Sequence, residues 1–514
     1  MASSGESQVV WRLEIGDETA TGDLARELVH ALRADDLITL SGDLGSGKTT
    51  FARAMIRDLT EDPELEVPSP TFTLMQIYQA PRFPVVHADL YRLKGPEELA
   101  QLGWDEAAEG ALVLVEWADR AGDQLPPDRL DVALELDLAR GPDARVVTLT
   151  GHGSCAPRLA RATAIHALLA RAGWSQATRR FMLGDASARA YERLTRPDGE
   201  RAILMISPPR PDGPPVRDGK PYSAIARLAE NVVPFIAVDE ALRAQSLSAP
   251  EIYASDVARG IVVLEDLGAE GVVDENGPMP ERYAEAVAAL AALHGRDLPK
   301  LLRAGAAPEY AIPRYDIEAL LIEVELLTEW YVPAFARNAP GDGARIAFVS
   351  IWKTLLEKTV FGESTWTLRD YHSPNLIWLP ERSGLQRVGI IDFQDCALGD
   401  PAYDVVSLLQ DARVTVSDDL ELRLLSHYAR KRREAGADFD MSNFARSYAV
   451  LGAQRATKIL GIFARLDKRD RKPQYLAHLP RVRGYLAKDL AHPVMADLKA
   501  WFETHVPAIF SVED

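Results

Sequence analysis

The segment Gly42-Asp43-Leu44-Gly45-Ser46-Gly47-Lys48-Thr49 has the residue types and the spacing of a loop that holds phosphate groups. It follows the apolar run 37–40 and precedes a helical pattern over 50–59. A glycine-rich turn between a strand and a helix directs backbone N–H groups at one point, a lysine adds positive charge, and a hydroxyl can hold Mg²⁺. We therefore predict a nucleotide site formed by Gly42, Gly45, Ser46, Gly47, Lys48, Thr49 and Thr50, with Thr49 as a metal ligand.

Three polar residues further along the chain could complete a site for ATP hydrolysis. Thr71 lies in Pro68-Ser69-Pro70-Thr71-Phe72, where a switch-type loop places a hydroxyl near the γ-phosphate. Asp89 and Glu116 each follow an apolar run, and Glu116 has a Walker-B-like position. Taken singly, Thr71 could lie in a plain turn, Asp89 could cap a helix, and Glu116 could be a surface acid. Their joint occurrence behind the glycine loop favours an ATPase centre.

A second group of residues has the pattern of a kinase catalytic loop. Asp370 and Asn375 stand in Arg-Asp-x-x-x-x-Asn, and Asp392 ends an apolar run about 20 residues later. In phosphoryl transfer, Asp370 would accept or orient the proton of the substrate hydroxyl, while Asn375 and Asp392 would hold Mg²⁺ against the phosphate oxygens. The first pattern alone could be a turn. Together with Gly399-Asp400-Pro401-Ala402-Tyr403-Asp404, it predicts a phosphotransfer centre.

The elements that must position these residues differ along the chain. Alternating strand-like and helical runs, including a strand over 71–78, predict a P-loop NTPase domain over residues 1–155. Short strands at 179–183, 191–195 and 201–206, followed by mostly helical sequence beyond about 277, predict a bilobal protein-kinase-like α+β domain over 156–514. Its small lobe would cover about 158–270 and its helical lobe about 271–514. The predicted fold class is α/β.

Composition limits the functional classes. The chain has 514 residues, of which 47% are hydrophobic and 26% charged, as in an ordinary multidomain globular protein. Its net charge of −18 opposes non-specific nucleic-acid binding, so RNA would be contacted through a partner or a local basic patch. The two cysteines, Cys155 and Cys396, exclude a cysteine-based zinc site. Since neither a signal peptide nor a long apolar run is evident, we expect a cytoplasmic protein without membrane association.

Nearly all of residues 8–150 resemble the TsaE family, the ATPase subunit of the bacterial tRNA threonylcarbamoyladenosine machinery. The shared motifs lie at 42–51, at Ser-Pro-Thr-Phe (69–72), at His-Ala-Asp-Leu-Tyr-Arg-Leu (87–93) and at Glu-Trp (116–117). The resemblance implies hydrolysis of ATP with Mg²⁺, coupled to TsaD- and TsaB-like partner proteins that modify adenosine 37 of tRNA. It also implies that Thr71 is the switch hydroxyl, Glu116 the metal-side acid, and Asp89 an organiser of the catalytic water or metal.

Residues 158–510 resemble the aminoglycoside phosphotransferase-like kinases. Within them, the chain is most similar to bacterial amino-sugar kinases (AmgK-like) that phosphorylate N-acetylmuramate and N-acetylglucosamine at the anomeric hydroxyl in cell-wall recycling. The supporting motifs lie at 184–194, 264–268, 368–376, 391–401 and 455–466. The resemblance implies that 184–191 cover the ATP phosphates, with Ser187 and Arg189 at the nucleotide. It implies that the backbone from Glu265 to Leu267 meets adenine.

Two departures from this family leave alternatives open. Leu368 stands where a histidine often precedes the catalytic Asp, and the strand 202–206 lacks the usual lysine. Arg189 or Arg193 could supply that charge, or Mg²⁺ and backbone donors could suffice. A regulatory pseudokinase therefore stays open, although the retention of Asp370, Asn375 and Asp392 together argues against it.

Other functions also remain open on the sequence. The second domain could phosphorylate an aminoglycoside or a choline-like alcohol, and the first could be an adaptor whose nucleotide only gates assembly. A basic stretch could be a solvated helical face, a carboxylate or phosphate pocket, or a tRNA contact. Its members are Arg455, Lys458, Arg465, Lys468, Arg469, Arg471, Lys472, Arg481 and Arg483. An aminoglycoside pocket should instead be rich in acids.

Overall fold

The chain divides into two compact units in a computed structural model. The first consists of Met1–Asp185 and Ala190–Glu200, and the second of Ala186–Arg189 and Arg201–Asp514. The structure describes all residues except 1–7, 94, 96–97, 100–102, 183–188, 210–212, 306, 336–339, 361–363, 437–438 and 511–514. Within the described part of the chain, no helix combines the length and the apolar character needed to cross a membrane.

A seven-stranded sheet lies at the centre of the first unit. Its strands are β1 (Val9–Ile15), β2 (Leu37–Ser41), β3 (Met75–Tyr78), β4 (Val85–Asp89), β5 (Leu112–Glu116), β6 (Leu130–Leu136) and β7 (Arg145–Gly151). Their order across the sheet is β1-β7-β6-β2-β5-β4-β3. Strands β4, β5, β2 and β6 run parallel to one another, so their carboxyl ends meet at one edge.

Helices cover this sheet because its central strands are apolar on both faces. The helices are α1 (Glu18–Val29), α2 (Lys48–Leu59), α3 (Trp104–Ala108) and α4 (Cys155–Arg171). Ile38 and Leu40 of β2 belong to the core that α1, α2 and α4 cover, whereas Leu37 belongs to a second core on the opposite face together with Trp104 of α3. This alternation is the period-2 pattern of a strand.

The first compact unit extends beyond the predicted boundary at residue 155. Leu159 and Ala162 of α4 are buried in the same core as α1 and α2, which holds this helix on the first unit. A hairpin of β8 (Thr178–Met182) and β9 (Ala190–Thr195) also lies in it, with Arg179 Nε donating to Glu192 Oε2 at 2.7 Å. The assignment of domains at 155 therefore stays a prediction.

The strand predicted over 71–78 is shorter than expected. Only Met75–Tyr78 is extended, because the chain turns before it: the backbone N–H of Leu74 donates to the carbonyl of Pro70 at 2.6 Å. Leu74 lies in the left-handed region with a φ of 66°. The turn leaves Thr71 outside the sheet, where its side chain can reach the carboxyl ends of the neighbouring strands.

Antiparallel strands and hairpins form the β-structure of the second unit. The strands are β10 (Arg201–Ile206), β11 (Pro215–Arg217), β12 (Lys220–Pro221), β13 (Ile252–Asp256), β14 (Ile261–Glu265), β15 (Val273–Asp274), β16 (Gly277–Pro278), β17 (Leu301–Ala304), β18 (Ala307–Ala311), β19 (Thr365–Thr367), β20 (Leu376–Trp378), β21 (Val388–Ile390) and β22 (Ala397–Gly399). β14 lies between β13 and β10. β19 pairs with β22 and β20 pairs with β21, so the segment 368–375 connects two antiparallel strand pairs.

Helices make up most of the remainder of the second unit. They are α5 (Tyr222–Ile225), α6 (Val233–Ala244), α7 (Pro280–His294), α8 (Ile317–Leu326), α9 (Val332–Phe335), α10 (Asp342–Thr359), α11 (Ala402–Leu409), α12 (Asp418–Glu434), α13 (Met441–Lys468), α14 (Leu479–Leu490) and α15 (Ala496–His505). The long helix α13 packs against α8, α11 and α14. These three helices carry side chains that reach the segment 368–375 or line a cavity beside it.

Candidate functional sites

The glycine loop of the first unit joins β2 to α2 in a conformation that requires glycine. Gly42, Gly45 and Gly47 have φ values of 135°, 79° and 108°. A Cβ at Gly42 would lie 2.2 Å from the carbonyl oxygen of Leu134, so the neighbouring strand leaves no room for a side chain. Lys48 Nζ donates to the carbonyls of Gly42 at 2.8 Å and Asp43 at 3.0 Å, which holds the ammonium group over the loop.

Glu116 lies beside this loop at the carboxyl end of β5. The sheet register places it next to Leu40 of β2 and Asp89 of β4. The hydroxyl of Thr49 donates to its two carboxylate oxygens at 2.9 and 3.0 Å. Its Oε1 is also 3.0 Å from Nε2 of His87, a fully buried ring. The predicted metal-side acid is therefore in direct contact with the predicted metal-binding hydroxyl.

Asp89 is tied to the turn that carries Thr71. The hydroxyls of Ser69 and Thr71 donate to Asp89 Oδ2 at 2.5 and 2.9 Å, and the backbone N–H of Tyr91 donates to Oδ1 at 3.0 Å. The structure thus brings Thr71, Asp89 and Glu116 to one edge of the sheet. In contrast, the hydroxyl of Thr50 donates to Glu18 of α1 at 3.3 Å.

His87 and Ser69 are contacts that the sequence reasoning quoted within motifs but did not assign to the site. His87 stands two residues before Asp89 on β4, and residues two apart point to the same face of a strand. That spacing was a usable signal for His87. Ser69 gave a weaker one, because the same residue type is common in plain turns.

The first site suits a magnesium-bound nucleotide. Ser46 belongs to the loop that should receive phosphate, and its Oγ is buried without a hydrogen-bond partner in the described structure. Burial lowers the pKa of Lys48 and the neighbouring acids Glu116 and Asp89 raise it, burial being the stronger effect. No three His, Cys, Asp or Glu side chains of the described residues cluster as a metal site. A hydroxyl with one carboxylate fits Mg²⁺, which usually keeps waters and phosphate oxygens as its other ligands.

In the second unit, side chains of α11 hold the backbone of the segment between β19 and β20. The backbone N–H groups of Leu368 and Arg369 donate to the Asp404 carboxylate at 2.7 and 2.8 Å, and Ser407 Oγ donates to the carbonyl of Arg369 at 3.1 Å. Arg369 has a φ of 67°. These bonds stabilise a strained backbone directly before Asp370.

The three predicted phosphotransfer residues are brought together around this segment. Asn375 Nδ2 donates to the carbonyl of Asp370 at 2.9 Å, which leaves Asn375 Oδ1 available as a metal ligand. The N–H of Ile391 donates to the carbonyl of Asn375 at 3.0 Å, so Asp392 follows immediately beside it. Asp392 has a φ of 60°, and its Oδ1 accepts from Gln394 Nε2 at 2.9 Å.

Arg189 reaches this same acid. Its Nη1 lies 3.0 Å from Asp392 Oδ1, and only 9% of its side chain is exposed. The strand β10 carries no lysine. Arg189 instead places a positive charge beside Asp392. Ser187, also predicted to contact nucleotide, lies outside the described residues.

The predicted hinge lies at the end of β14. Glu265 is ion-paired with Arg382, and its N–H donates to the carbonyl of Glu251 at 2.8 Å. A Cβ added to Gly389 would lie 3.0 Å from Leu267 Cδ1, so β21 passes closely against Leu267. The side chain of Glu265 is thus engaged in contacts within the protein.

A buried ionic network supports Asp370. Glu323 of α8 accepts from Arg369 Nη2 at 2.6 Å and lies 2.9 Å from Lys458 Nζ. Burial acts to raise the pKa of Asp370, but His372, Lys458 and Arg369 together outweigh it and lower this pKa. Near pH 7 the charges that do so are those of Lys458 and Arg369, because His372 is then neutral. Burial lowers the pKa of His372 to about 4, so this ring is neutral near pH 7.

The basic stretch separates into buried and solvated members. Lys458 belongs to the network around Glu323, and Arg455 is buried on the same helix. Lys468, Arg469 and Arg471 are exposed. The stretch is therefore a solvated surface at its distal end and a buried positive region near Asp370.

Comparisons with known proteins agree with both resemblances. A family model described as threonylcarbamoyl adenosine biosynthesis protein TsaE matches residues 15–143, and one described as the phosphotransferase enzyme family matches residues 178–439. The N-acetylmuramate/N-acetylglucosamine kinase of Caulobacter vibrioides is 41% identical over 361 residues, covering 68% of this chain and 97% of that protein. The TsaE protein of Rickettsia felis is 41% identical over 124 residues, covering 24% of this chain and 72% of that protein.

Among solved structures, a choline/ethanolamine kinase family protein from Mesorhizobium loti has 15% identity and a TM-score of 0.41, covering 68% of this chain and 99% of that one. The family assignment depends on the sequence matches, and both predicted resemblances are confirmed by them. The chain belongs to the phosphotransferase enzyme family and carries, ahead of that domain, a domain of the TsaE family.

Proposed function

We propose that this chain combines two ATP-dependent activities. The TsaE-family domain hydrolyses ATP as part of the tRNA threonylcarbamoyladenosine machinery. The phosphotransferase domain phosphorylates N-acetylmuramate and N-acetylglucosamine at the anomeric hydroxyl. The observation that carries the kinase half of the proposal is the match to 97% of the Caulobacter kinase, in a chain whose Asp370, Asn375 and Asp392 lie together. The match of residues 15–143 to the TsaE family model carries the other half.

In the first domain, the loop residues and Lys48 would bind the phosphates of ATP, and Thr49 with Glu116 would hold Mg²⁺. The ion would supply positive charge to the phosphate oxygens. Asp89 is fixed by Ser69 and Thr71 and would orient the attacking water. Thr49 and Glu116, which bond to each other here, would both turn their oxygens to the ion, and His87 would keep the Glu116 carboxylate in place.

In the second domain, Asp370 would orient the sugar hydroxyl and accept its proton. Its lowered pKa keeps it ionised at neutral pH, as an acceptor must be. Asn375 and Asp392 would hold Mg²⁺. Arg189 would take the place of the missing strand lysine, because it already lies at Asp392. The backbone from Glu265 to Leu267 would meet adenine, and Ser187 would cover the phosphates.

The partners follow from the same proposal. TsaD- and TsaB-like proteins would bind the first domain, and tRNA would be contacted through them, since a net charge of −18 opposes direct binding. An amino sugar would be the substrate of the second domain.

Turnover of the full chain and two variants tests this function. We expect Lys48→Ala to abolish ATP hydrolysis measured with the tRNA-modifying partners and to leave ADP release with amino sugars intact. We expect Asp370→Ala to do the reverse. The substrate screen should also include an aminoglycoside and choline. Sugar-dependent turnover that survives Asp370→Ala, or turnover only with an aminoglycoside or choline, would contradict the proposal.

A further inference from the structure

Arg145 connects the glycine loop of the first unit to the strand pair of β6 and β7. It is the first residue of β7, and its Nε donates to the carbonyl of Ser46 at 2.8 Å while Nη2 donates to the carbonyl of Gly45 at 3.3 Å. Nη1 donates to the carbonyls of Pro142 and Ala144 at 2.9 and 3.0 Å. All three guanidinium nitrogens therefore bind backbone carbonyls, two in the glycine loop and two in the turn before β7.

This use of an arginine differs from that of its neighbour Arg140. Arg140 lies in the same turn and forms an exposed ion pair with Glu14. Arg145 has no carboxylate within ion-pair distance in the part of the chain that the structure describes, so its side chain is engaged only with backbone. The planar guanidinium can bind several carbonyls at once in fixed directions, which an ammonium group does less well.

The bond to Ser46 orients the peptide group that joins Ser46 to Gly47. In a planar trans peptide the C=O and the N–H point in opposite directions, so a carbonyl held by Arg145 turns the N–H of Gly47 away from Arg145. Among the described residues this N–H has no backbone acceptor. A free N–H at the start of a helix is a donor that a phosphate oxygen can use.

The loop needs such support because of its composition. Gly42, Gly45 and Gly47 have the largest backbone freedom of any residue type, so fixing them in one conformation costs conformational entropy. The carbonyl of Leu134 leaves no room for a side chain at Gly42, so β6 already packs against the first glycine. Arg145 holds the middle of the loop. Together they order the loop in the absence of a nucleotide.

We propose that Arg145 is a positioning residue for ATP in the first domain, and that it holds the glycine loop in its binding conformation before the nucleotide arrives. The inference rests on the proposed ATPase function. Arg145 acts on the carbonyl side of the loop, whereas Lys48 and Thr49 would meet the phosphates and Mg²⁺ themselves. A loop that is ordered in advance raises affinity without changing the groups that take part in hydrolysis. Arg145 therefore governs the binding of ATP and not the rate at saturation.

A calorimetric titration of the full chain with Mg²⁺ and a non-hydrolysable ATP analogue tests this inference. The site of the first domain is the one that Lys48→Ala removes. We expect Arg145→Gln to raise the Kd of this site by about 10- to 100-fold, the range for losing hydrogen bonds from a charged group, and to leave the other site unchanged. Arg145→Lys keeps the charge but holds fewer carbonyls, so it should recover only part of the affinity. Arg140→Gln is the matched control.

Phosphate release with the partner proteins separates positioning from a general structural role. Arg145→Gln should raise the KM for ATP by a similar factor and leave kcat within about twofold of the unaltered chain. A loss of folded protein would instead lower kcat and the number of sites at an unchanged KM, and this result would overturn the inference. Unchanged affinity in Arg145→Gln would overturn it as well. Full recovery in Arg145→Lys would do the same, because charge alone would then suffice.

The unaltered chain separates this inference from the function beneath it. If Lys48→Ala removes no nucleotide site from the chain, the proposed ATPase function fails and the inference with it. If it removes one site, the Arg145 variants alone decide. Should Arg145→Gln not fold, Arg145→Lys decides by itself: a Kd raised by about threefold or more supports the inference, and an unchanged Kd overturns it.

Discussion

The Glu116 carboxylate is the residue on which the first site converges. It accepts from the Thr49 hydroxyl and contacts the ring of His87, and only 2% of the residue is exposed. A buried carboxylate with two polar partners is held in one rotamer. This makes it a group with a fixed position relative to the loop, which is what metal or water positioning requires.

Replacing Glu116 with Gln should therefore remove the charge and retain the shape. We expect ATP hydrolysis with the partner proteins to fall about 100-fold or more, the scale of losing a positioned acid. Phosphate release measures it. Glu135→Gln, at an exposed position of β6, is the matched control. An unchanged rate would remove Glu116 from the site.

His372 predicts a loss of stability in acid. Burial lowers its pKa to about 4, with Arg455 and Arg413 lowering it further and Asp411 and Asp370 opposing them. In the unfolded chain the pKa of His372 returns to about 6.5, so the unfolded chain binds the proton at a higher pH than the folded chain does. The contribution of His372 to the free energy of unfolding is complete above about pH 6.5. It is lost as the pH falls toward 4, which lowers this free energy by about 3 kcal/mol in total.

Thermal unfolding between pH 7 and 4.5 checks this expectation. His372→Gln should reduce the slope of the second unit's melting temperature against pH, even if it lowers the temperature itself. Asp370 should not contribute to the slope in this range. Its pKa is lowered, so the stability that depends on its ionisation is lost only in stronger acid. An unchanged slope in the variant would contradict the assignment.

At the scale of elements, the catalytic segment depends on helix α8. Glu323 of this helix is fully buried and binds both Arg369 and Lys458. Removing one member of a buried ionic group leaves the others uncompensated, which is far more costly than breaking an exposed pair.

Glu323→Gln should thus destabilise the second unit by about 3–5 kcal/mol. Glu325→Gln on the same helix breaks a partly exposed pair with Arg217 and should cost about 1 kcal/mol or less. Urea unfolding and hydrogen exchange over 368–376 measure the two variants. Similar losses in both would show that the network does not support the catalytic segment.

Site residues that share a local motif, or that end neighbouring parallel strands, were predictable from the sequence. The glycine loop, the acids that end β4 and β5, and the Asp370 to Asn375 spacing follow from local pattern and parallel register. Glu323 and Asp404 were not predictable as supports, since they come from α8 and α11 and no spacing connects them to Arg369. Arg189 was one of two candidates for the missing lysine, and only tertiary structure places it at Asp392.

At the scale of the whole molecule, two sites with different surroundings occur in one chain. The first lies at a helix that begins at Lys48, and the second lies at a segment between two antiparallel strand pairs of the other unit. Each compact unit supplies all the described site residues of its own centre.

Nucleotide stoichiometry follows from this division. A titration of the intact chain with a non-hydrolysable ATP analogue and Mg²⁺ should reach two nucleotides per molecule, and Lys48→Ala should reduce this to one. Arg145→Ala is unsuitable as a control because its guanidinium donates to the carbonyl of Ser46. Arg140→Ala, whose exposed side chain pairs with Glu14, is suitable. A single nucleotide on the folded, unaltered chain would contradict two functional centres.

The contact between Thr49 and Glu116 has a consequence for handling the protein. Because these groups satisfy each other, the first site does not need an ion to keep its shape. A chelator such as EDTA should stop phosphate release while leaving the melting temperature of the first unit unchanged, and added magnesium should restore activity without a refolding delay. The metal-free protein would then be a stable, folded form that is able to bind the ion directly.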